Sequence, residues 1–197
     1  NPIIANGIMY VTSPKLKLIA LNPATGKEIW KFDPFNGAQS SGVNRGVTYW
    51  ESGSEKRIYF SAGPYLYALN ATDGTLSTGF GAGGKIDLRE GLLREASKLN
   101  VTSTSPGIIY KDLIIQGTAL SDGWDAPPGF IRAYDVKTGK TVWTFHTIPQ
   151  PGEPGYDTWS ENAYQEVGGV NNWCGMSVDD KRGIVFIPTG SASFDFY

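Results

Sequence analysis

Short apolar runs broken by polar turns recur along this chain. Ile108-Ile109 and Leu113-Ile114-Ile115 flank the turn Tyr110-Lys111-Asp112, and Met176-Ser177-Val178 and Ile184-Val185-Phe186-Ile187 flank Asp179-Asp180-Lys181-Arg182-Gly183. Runs this short, rich in β-branched and aromatic residues and bounded by turn formers, predict strands rather than helices. Similar strand-like sequence occupies residues 2–11 and 57–61.

One unit appears three times. Its copies are Ala20-Leu21-Asn22-Pro23-Ala24-Thr25-Gly26-Lys27-Glu28-Ile29-Trp30, then Ala68-Leu69-Asn70-Ala71-Thr72-Asp73-Gly74-Thr75-Leu76, then Ala133-Tyr134-Asp135-Val136-Lys137-Thr138-Gly139-Lys140-Thr141-Val142-Trp143. Each has a strand, an Asn or Asp that opens a turn, a Gly suited to positive φ, and a second strand, so each predicts a hairpin. With the strand-like sequence ahead of it, each hairpin makes a unit of four short strands, a propeller blade. Residues 1–197 then form one incomplete β-propeller domain of three blades and the start of a fourth. The last residues, Phe194-Asp195-Phe196-Tyr197, follow a strand with no returning strand, and the rest of the propeller is expected as the chain's partner.

The copies are unequally spaced, and insertions between strands commonly carry function. Residues 78–99 contain Gly79-Phe80-Gly81-Ala82-Gly83-Gly84, expected as an inter-blade turn, and then a charged segment able to form a short helix. The loop lacks the Lys-Ser/Thr of a phosphate cradle. A second insertion, residues 149–172, is rich in Pro, Gly and aromatic residues.

Composition supports the all-β reading, with Gly 25, Pro 12 and 18% charged residues. The net charge of -2 is dispersed, so nothing gathers phosphates and nucleic acid is excluded as a partner. No apolar run approaches the ~20 residues of a membrane helix, and the first ten residues lack the basic start and cleavage site of an export signal. Cys174, the single cysteine, leaves no internal disulfide and reads as a small buried apolar residue. His146 follows a strand and reads as a packing residue, with no Cys-x-x-Cys-His haem motif present.

The repeats resemble the tryptophan-docking motifs of PQQ-dependent (quinoprotein) dehydrogenases, in which Ala-x-Asp-x-x-Thr-Gly-x-x-x-Trp closes each blade and the tryptophan packs on the next. Trp30 and Trp143 match, while Thr78 stands at the equivalent position of the second copy. The resemblance implies an all-β, eight-bladed propeller of which this chain supplies the first three to four blades. Other segments carry it into the site. Val43-Asn44-Arg45-Gly46 is similar to the segment whose arginine contacts the quinone oxygens, a task suited to a permanently charged guanidinium. Ser103-Thr104-Ser105-Pro106 and Gln116-Gly117-Thr118 resemble the hydroxyl-bearing strand ends that bond the cofactor carboxylates. Gly168-Gly169-Val170-Asn171-Asn172-Trp173 is similar to the segment whose tryptophan forms the floor under PQQ, and its glycines suggest close backbone approach to the cofactor.

The resemblance thereby implies PQQ held by Arg45, Ser103, Thr104, Thr118, Asp122 and Trp173, with Arg45 also in the catalytic role. Asp122 falls near an aspartate of the sugar-oxidising branch, and Ser191 where alcohol-type members supply an asparagine to Ca²⁺. A serine is a poor calcium ligand, so a Ca²⁺ or Mg²⁺ site would be rearranged. Gln39-Ser40-Ser41 stands where alcohol-type members carry adjacent cysteines, and Thr78-Gly79-Phe80-Gly81 through Lys85-Ile86-Asp87-Leu88 is similar to membrane glucose dehydrogenases. The implied activity is oxidation of a sugar or other alcohol in the periplasm, with electrons passing to a cytochrome c or a membrane quinone. The catalytic-base aspartate is expected beyond Tyr197. Two rival readings are a cofactor-free propeller scaffold of the outer-membrane assembly type, which needs neither Arg45 nor Trp173, and a sugar-binding lectin propeller, suggested by Tyr156 and Trp159.

Overall fold

The computed structural model describes residues 1–194; Asp195, Phe196 and Tyr197 lie outside them, and with them most of the expectation about the chain end. Among the described residues fourteen strands form three four-stranded antiparallel sheets and one two-stranded sheet. The first blade is β1 (Ile3–Ala5), β2 (Ile8–Thr12), β3 (Leu18–Leu21) and β4 (Glu28–Phe32). The second is β5 (Thr48–Ser52), β6 (Glu55–Ala62), β7 (Tyr65–Asn70) and β8 (Lys85–Asp87). The third is β9 (Ile108–Tyr110), β10 (Leu113–Gln116), β11 (Ile131–Asp135) and β12 (Thr141–Phe145), and the fourth sheet pairs β13 (Ser177–Asp179) with β14 (Ile184–Phe186). In every sheet the strands lie in chain order, each paired with the next, as in the blades of a propeller.

The repeated turns behave as their residues require. Gly26, Gly74 and Gly139 all hold φ near +70°, and Asn22, Asn70 and Asp135 each accept backbone N–H bonds from the turn with their side-chain oxygen. In the first and third copies the hairpin closes at once as β3–β4 and β11–β12. The second copy departs from this. Leu76 makes only an isolated bridge to Leu69, and the fourth strand of the blade is β8, beyond the glycine-rich loop. That loop is therefore an intra-blade connection, not the inter-blade turn expected from sequence. The charged segment after it contains only a 3-10 turn, Ala96–Lys98.

Blade-to-blade packing rests on a repeated contact. The Trp30 indole lies against Gly74 of the next blade, where an added Cβ would come within 2.5 Å of the ring, and its Nε1 donates to the Ala71 carbonyl at 3.1 Å. Tyr10 donates to the same carbonyl at 3.0 Å. One blade on, Tyr59 donates to the equivalent Val136 carbonyl at 2.6 Å, while Phe80 and Ile86 crowd Gly139. Phe80, fully buried, and Ile86 together cover Gly139 as Trp30 covers Gly74, while Arg57 and Tyr59 supply the donors to the Val136 carbonyl, so Thr78 is tolerated at the motif position. Trp143 and, from the fourth sheet and its flanks, Met176, Val185 and Ile187 pack on one cluster, that of Ile115, Ile131 and Ala133. Among the described residues no helix is long and apolar enough to cross a membrane.

Candidate functional site

In an antiparallel blade the chain enters the first strand and leaves the second at the same end. The segments before β5, β9 and β13 and those after β10 and β14 therefore gather at one end of the blades. They carry Arg45, Ser103 to Pro106, Gly117 to Asp122, Gly169 to Trp173, and Gly190 to Ser193. Between them lies a cavity of ≈ 370 Å³ whose lining includes Arg45, Thr104, Asp122, Asn171, Trp173 and Ser191. That volume falls in the range of about 300–1,000 Å³ usual for small-molecule sites.

Arg45 is placed by its neighbours. Asn44 accepts the Gly46 N–H at 2.9 Å and donates to the Ser61 carbonyl at 2.8 Å, while Gly46 holds φ at 141°. The Arg45 N–H donates to the Thr104 carbonyl at 2.7 Å, and its Nη1 donates to Thr104 Oγ1 at 2.6 Å. Its guanidinium carbon stands 5.4 Å from the centre of the Trp173 ring, a cation–π distance. Three side chains converge on the Trp173 carbonyl: Ser105 Oγ at 2.8 Å, Thr104 Oγ1 at 3.2 Å and Arg45 Nη1 at 3.4 Å. The backbone under the indole is thus held while the residue as a whole stays 49% exposed.

Not every expected residue reaches the cavity. Arg45, Thr104, Asp122, Trp173 and Ser191 line it together. Ser103 is turned into the protein, donating to the Ser105 carbonyl and accepting from Gln116 Nε2 at 2.8 Å, because buried Gln116 needs partners for its amide. Thr118 is buried outside the lining; its carbonyl accepts from Asn171 Nδ2 at 2.8 Å, and its hydroxyl oxygen has no partner among the described residues. The glycines before Trp173 do approach backbone closely, but that backbone is the protein's own. A Cβ on Gly168 would come within 1.8 Å of the Ala126 carbonyl oxygen, and one on Gly169 within 2.7 Å of Ser193 N. Sequence reading passed over Asn171, Ser121 and Ser193, which also line the cavity. Asn171 stands inside the quoted motif and was detectable; the serines resemble ordinary turn residues.

A broad indole face, a guanidinium, a hydroxyl and an amide around one cavity suit a planar polyanionic ring system such as PQQ. The donor set for a metal is thinner. Asp122 and Ser191 are the expected oxygens, no group of three or more His, Cys, Asp or Glu side chains converges among the described residues, and Ca²⁺ takes 6–8 oxygen ligands. These residues do not by themselves make a calcium site.

Comparison with known proteins bears on the family and the fold. A family model described as "Glucose/ethanol/alcohol dehydrogenase, beta-propeller domain", of the PQQ type, matches residues 1–197. The chain is 30% identical over its whole length to a glycerol dehydrogenase large subunit of Gluconobacter oxydans, of which it covers 28%, and 30% identical to quinoprotein glucose dehydrogenase A of Acinetobacter calcoaceticus, of which it covers 27%. Among solved structures it is similar to a quinohemoprotein alcohol dehydrogenase from Pseudomonas putida, with a TM-score of 0.76, 26% identity, and coverage of 98% of this chain and 28% of that one. The chain thus spans between a quarter and a third of the length of these relatives.

Proposed function

This chain belongs to the PQQ-type glucose/ethanol/alcohol dehydrogenase β-propeller family, and from that premise we propose that its protein oxidises a sugar or other alcohol with PQQ bound in the Arg45–Trp173 cavity. The observation that carries the reading is the joint placement of Arg45, Thr104 and the exposed Trp173 indole around one cavity. When bound, PQQ supplies a quinone carbonyl able to accept a hydride equivalent from a carbinol carbon.

The chain's own residues prepare that chemistry. Trp173 offers a flat apolar floor whose position does not depend on its ring, because three donors hold its carbonyl. Arg45, fixed by Thr104, presents positive charge to the cavity, where it would stabilise negative charge on a reduced quinone held there. Thr104 and Asn171 supply neutral polar contacts at the wall, and Asp122 a carboxylate oxygen. Onward electron transfer to a cytochrome c or a membrane quinone, in the periplasm, completes the proposal; an accompanying Ca²⁺ or Mg²⁺ would need ligands beyond Asp122 and Ser191.

The test is to add PQQ with Ca²⁺, and separately with Mg²⁺, to the whole protein and follow dye-linked oxidation of glucose and simple alcohols. Saturable, PQQ-dependent dye reduction with at least one of these substrates is expected. Absence of both PQQ binding and dye reduction would leave the scaffold reading in its place.

A further inference from the structure

The insertion between β8 and β9, residues 88–107, carries Arg94, which is not among the cavity-lining residues. Its guanidinium is partly buried and spans two separate segments. Nη1 donates to the Ala126 carbonyl at 3.0 Å and Nη2 to the Val167 carbonyl at 2.9 Å. Both segments run directly into the cavity. Ala126 lies four residues beyond Asp122, and Val167 lies six residues before Trp173.

The two segments meet at the same place. Gly168 packs directly beneath the Ala126 carbonyl, so that the acceptor held by Arg94 is also the atom that excludes any side chain at position 168. Beyond it, Gly129 N–H donates to the Gly169 carbonyl at 2.8 Å and Gly169 N–H to Pro127 at 3.0 Å. Val170 then takes φ of 51°, an unusual conformation for a β-branched residue that persists only when its surroundings over-determine it. Its N–H donates to the Ser191 carbonyl at 2.7 Å. Arg94 is therefore the clip at the root of a tightly packed strut that ends in the Trp173 floor.

The clip itself is anchored. Arg132 of β11, buried, donates to the Leu88 carbonyl at 2.6 Å and to the Glu90 carbonyl, which fixes the start of the insertion against the third blade. Desolvation lowers the pKa of the Arg94 guanidinium relative to an exposed arginine, and the two carbonyl acceptors offset that cost.

We propose that Arg94 is a positioning residue for cofactor binding, setting the separation between the Asp122 wall and the Trp173 floor from outside the cavity. The inference rests on the PQQ reading above. It differs from a general stabilising role because a matched arginine exists elsewhere. Arg57, more deeply buried and also paired with Glu55, likewise donates to two carbonyls, Val136 and Lys137, each at 2.8 Å, but these lie in the repeat turn of the third blade, and neither that turn nor Arg57 lines the Arg45–Trp173 cavity.

The experiment compares Arg94→Met, Arg94→Lys and Arg57→Met in the whole protein, reading PQQ affinity by equilibrium binding and folding by thermal midpoint, well below which the binding is measured. Arg94→Met should bind PQQ roughly tenfold or more weakly, the scale of loss seen when a group that orients a metal ligand is removed, and Arg94→Lys should fall between it and the parent. Arg57→Met should lower the midpoint and leave affinity at the parent value. Parent-like affinity in Arg94→Met, or an equal loss in Arg57→Met, would overturn the positioning role. A parent protein that does not bind PQQ would instead overturn the functional reading on which it rests. If Arg94→Met does not fold, the Arg94→Lys and Arg57→Met pair decides by the same criterion.

Discussion

The Trp30 indole N–H and the Ala71 carbonyl are 3.1 Å apart across the gap between the first and second blades, and the Tyr10 hydroxyl shares that acceptor. One carbonyl thus receives two donors from the neighbouring blade. The ring that delivers one of them lies over Gly74, three residues further along the same turn. The repeated glycine consequently has two duties, a left-handed conformation and a bare surface for an aromatic ring.

Those duties separate experimentally. Gly26 and Gly74 share φ near +70°, but an added Cβ meets nothing within 4 Å at Gly26 and meets the Trp30 ring at Gly74. Gly26→Ala should cost about 1–2 kcal/mol, the left-handed penalty alone. Gly74→Ala should cost about 1–3 kcal/mol more, from forced repacking of the indole. Urea unfolding of the two variants side by side measures the difference; equal losses would remove the docking contribution.

Trp173→Ala should weaken PQQ binding by about 2–4 kcal/mol, from lost apolar burial and ring stacking, or roughly 30- to 1,000-fold. The fold should survive, because the hydrogen bonds from Arg45, Thr104 and Ser105 go to the residue's carbonyl, and of these three only Arg45 loses a contact with the ring. Equilibrium binding with circular dichroism on the same sample checks both halves. Undiminished affinity would rule out the indole as the cofactor floor.

Arg45→Lys should retain PQQ within a few-fold and slow its reduction by substrate about tenfold or more. An ammonium keeps the charge but cannot hold Thr104 with one nitrogen of a planar fork while presenting the others to the cavity. Stopped-flow reduction at the parent rate would exclude Arg45 from charge stabilisation.

Stability should fall on the alkaline side. Burial raises the Tyr59 hydroxyl well above its ordinary value of about 10 and moves Tyr67 up to about 12. A raised folded-state value means that these protons are held more tightly in the folded chain. Stability is therefore unaffected below about pH 10 and drains as pH rises from there toward the folded values, by about 1.4 kcal/mol per pH unit for each such tyrosine. Tyr59→Phe should shallow that decline. At neutral pH it should cost only about 0.5–1.5 kcal/mol, since Arg57 still serves the Val136 carbonyl. Denaturation curves from about pH 8 to about pH 11 provide the check.

Much of the architecture was readable from the chain itself. A turn that needs Asn or Asp, then Gly at positive φ, declares itself through residue type, and so the three repeated turns and the four-strand unit followed from local sequence, while the docking of Trp30 on the next blade came from the resemblance of the repeats. The association of Arg45, Thr104, Asp122, Trp173 and Ser191 with one site came from segment resemblance, and all five line the same cavity. Contacts between distant segments were another matter. Phe80 and Ile86 could fill the place of a tryptophan ring at position 78 only because a glycine-rich excursion brings both side chains onto Gly139. Ser103 turned inward because Gln116, buried thirteen residues later, required a partner for its amide. Arg94 acquired its two acceptors from carbonyls 32 and 73 residues downstream. Residue type sets which bonds a group must make, but buried donors take whichever acceptors the packed chain brings within reach, and that choice belongs to the tertiary structure.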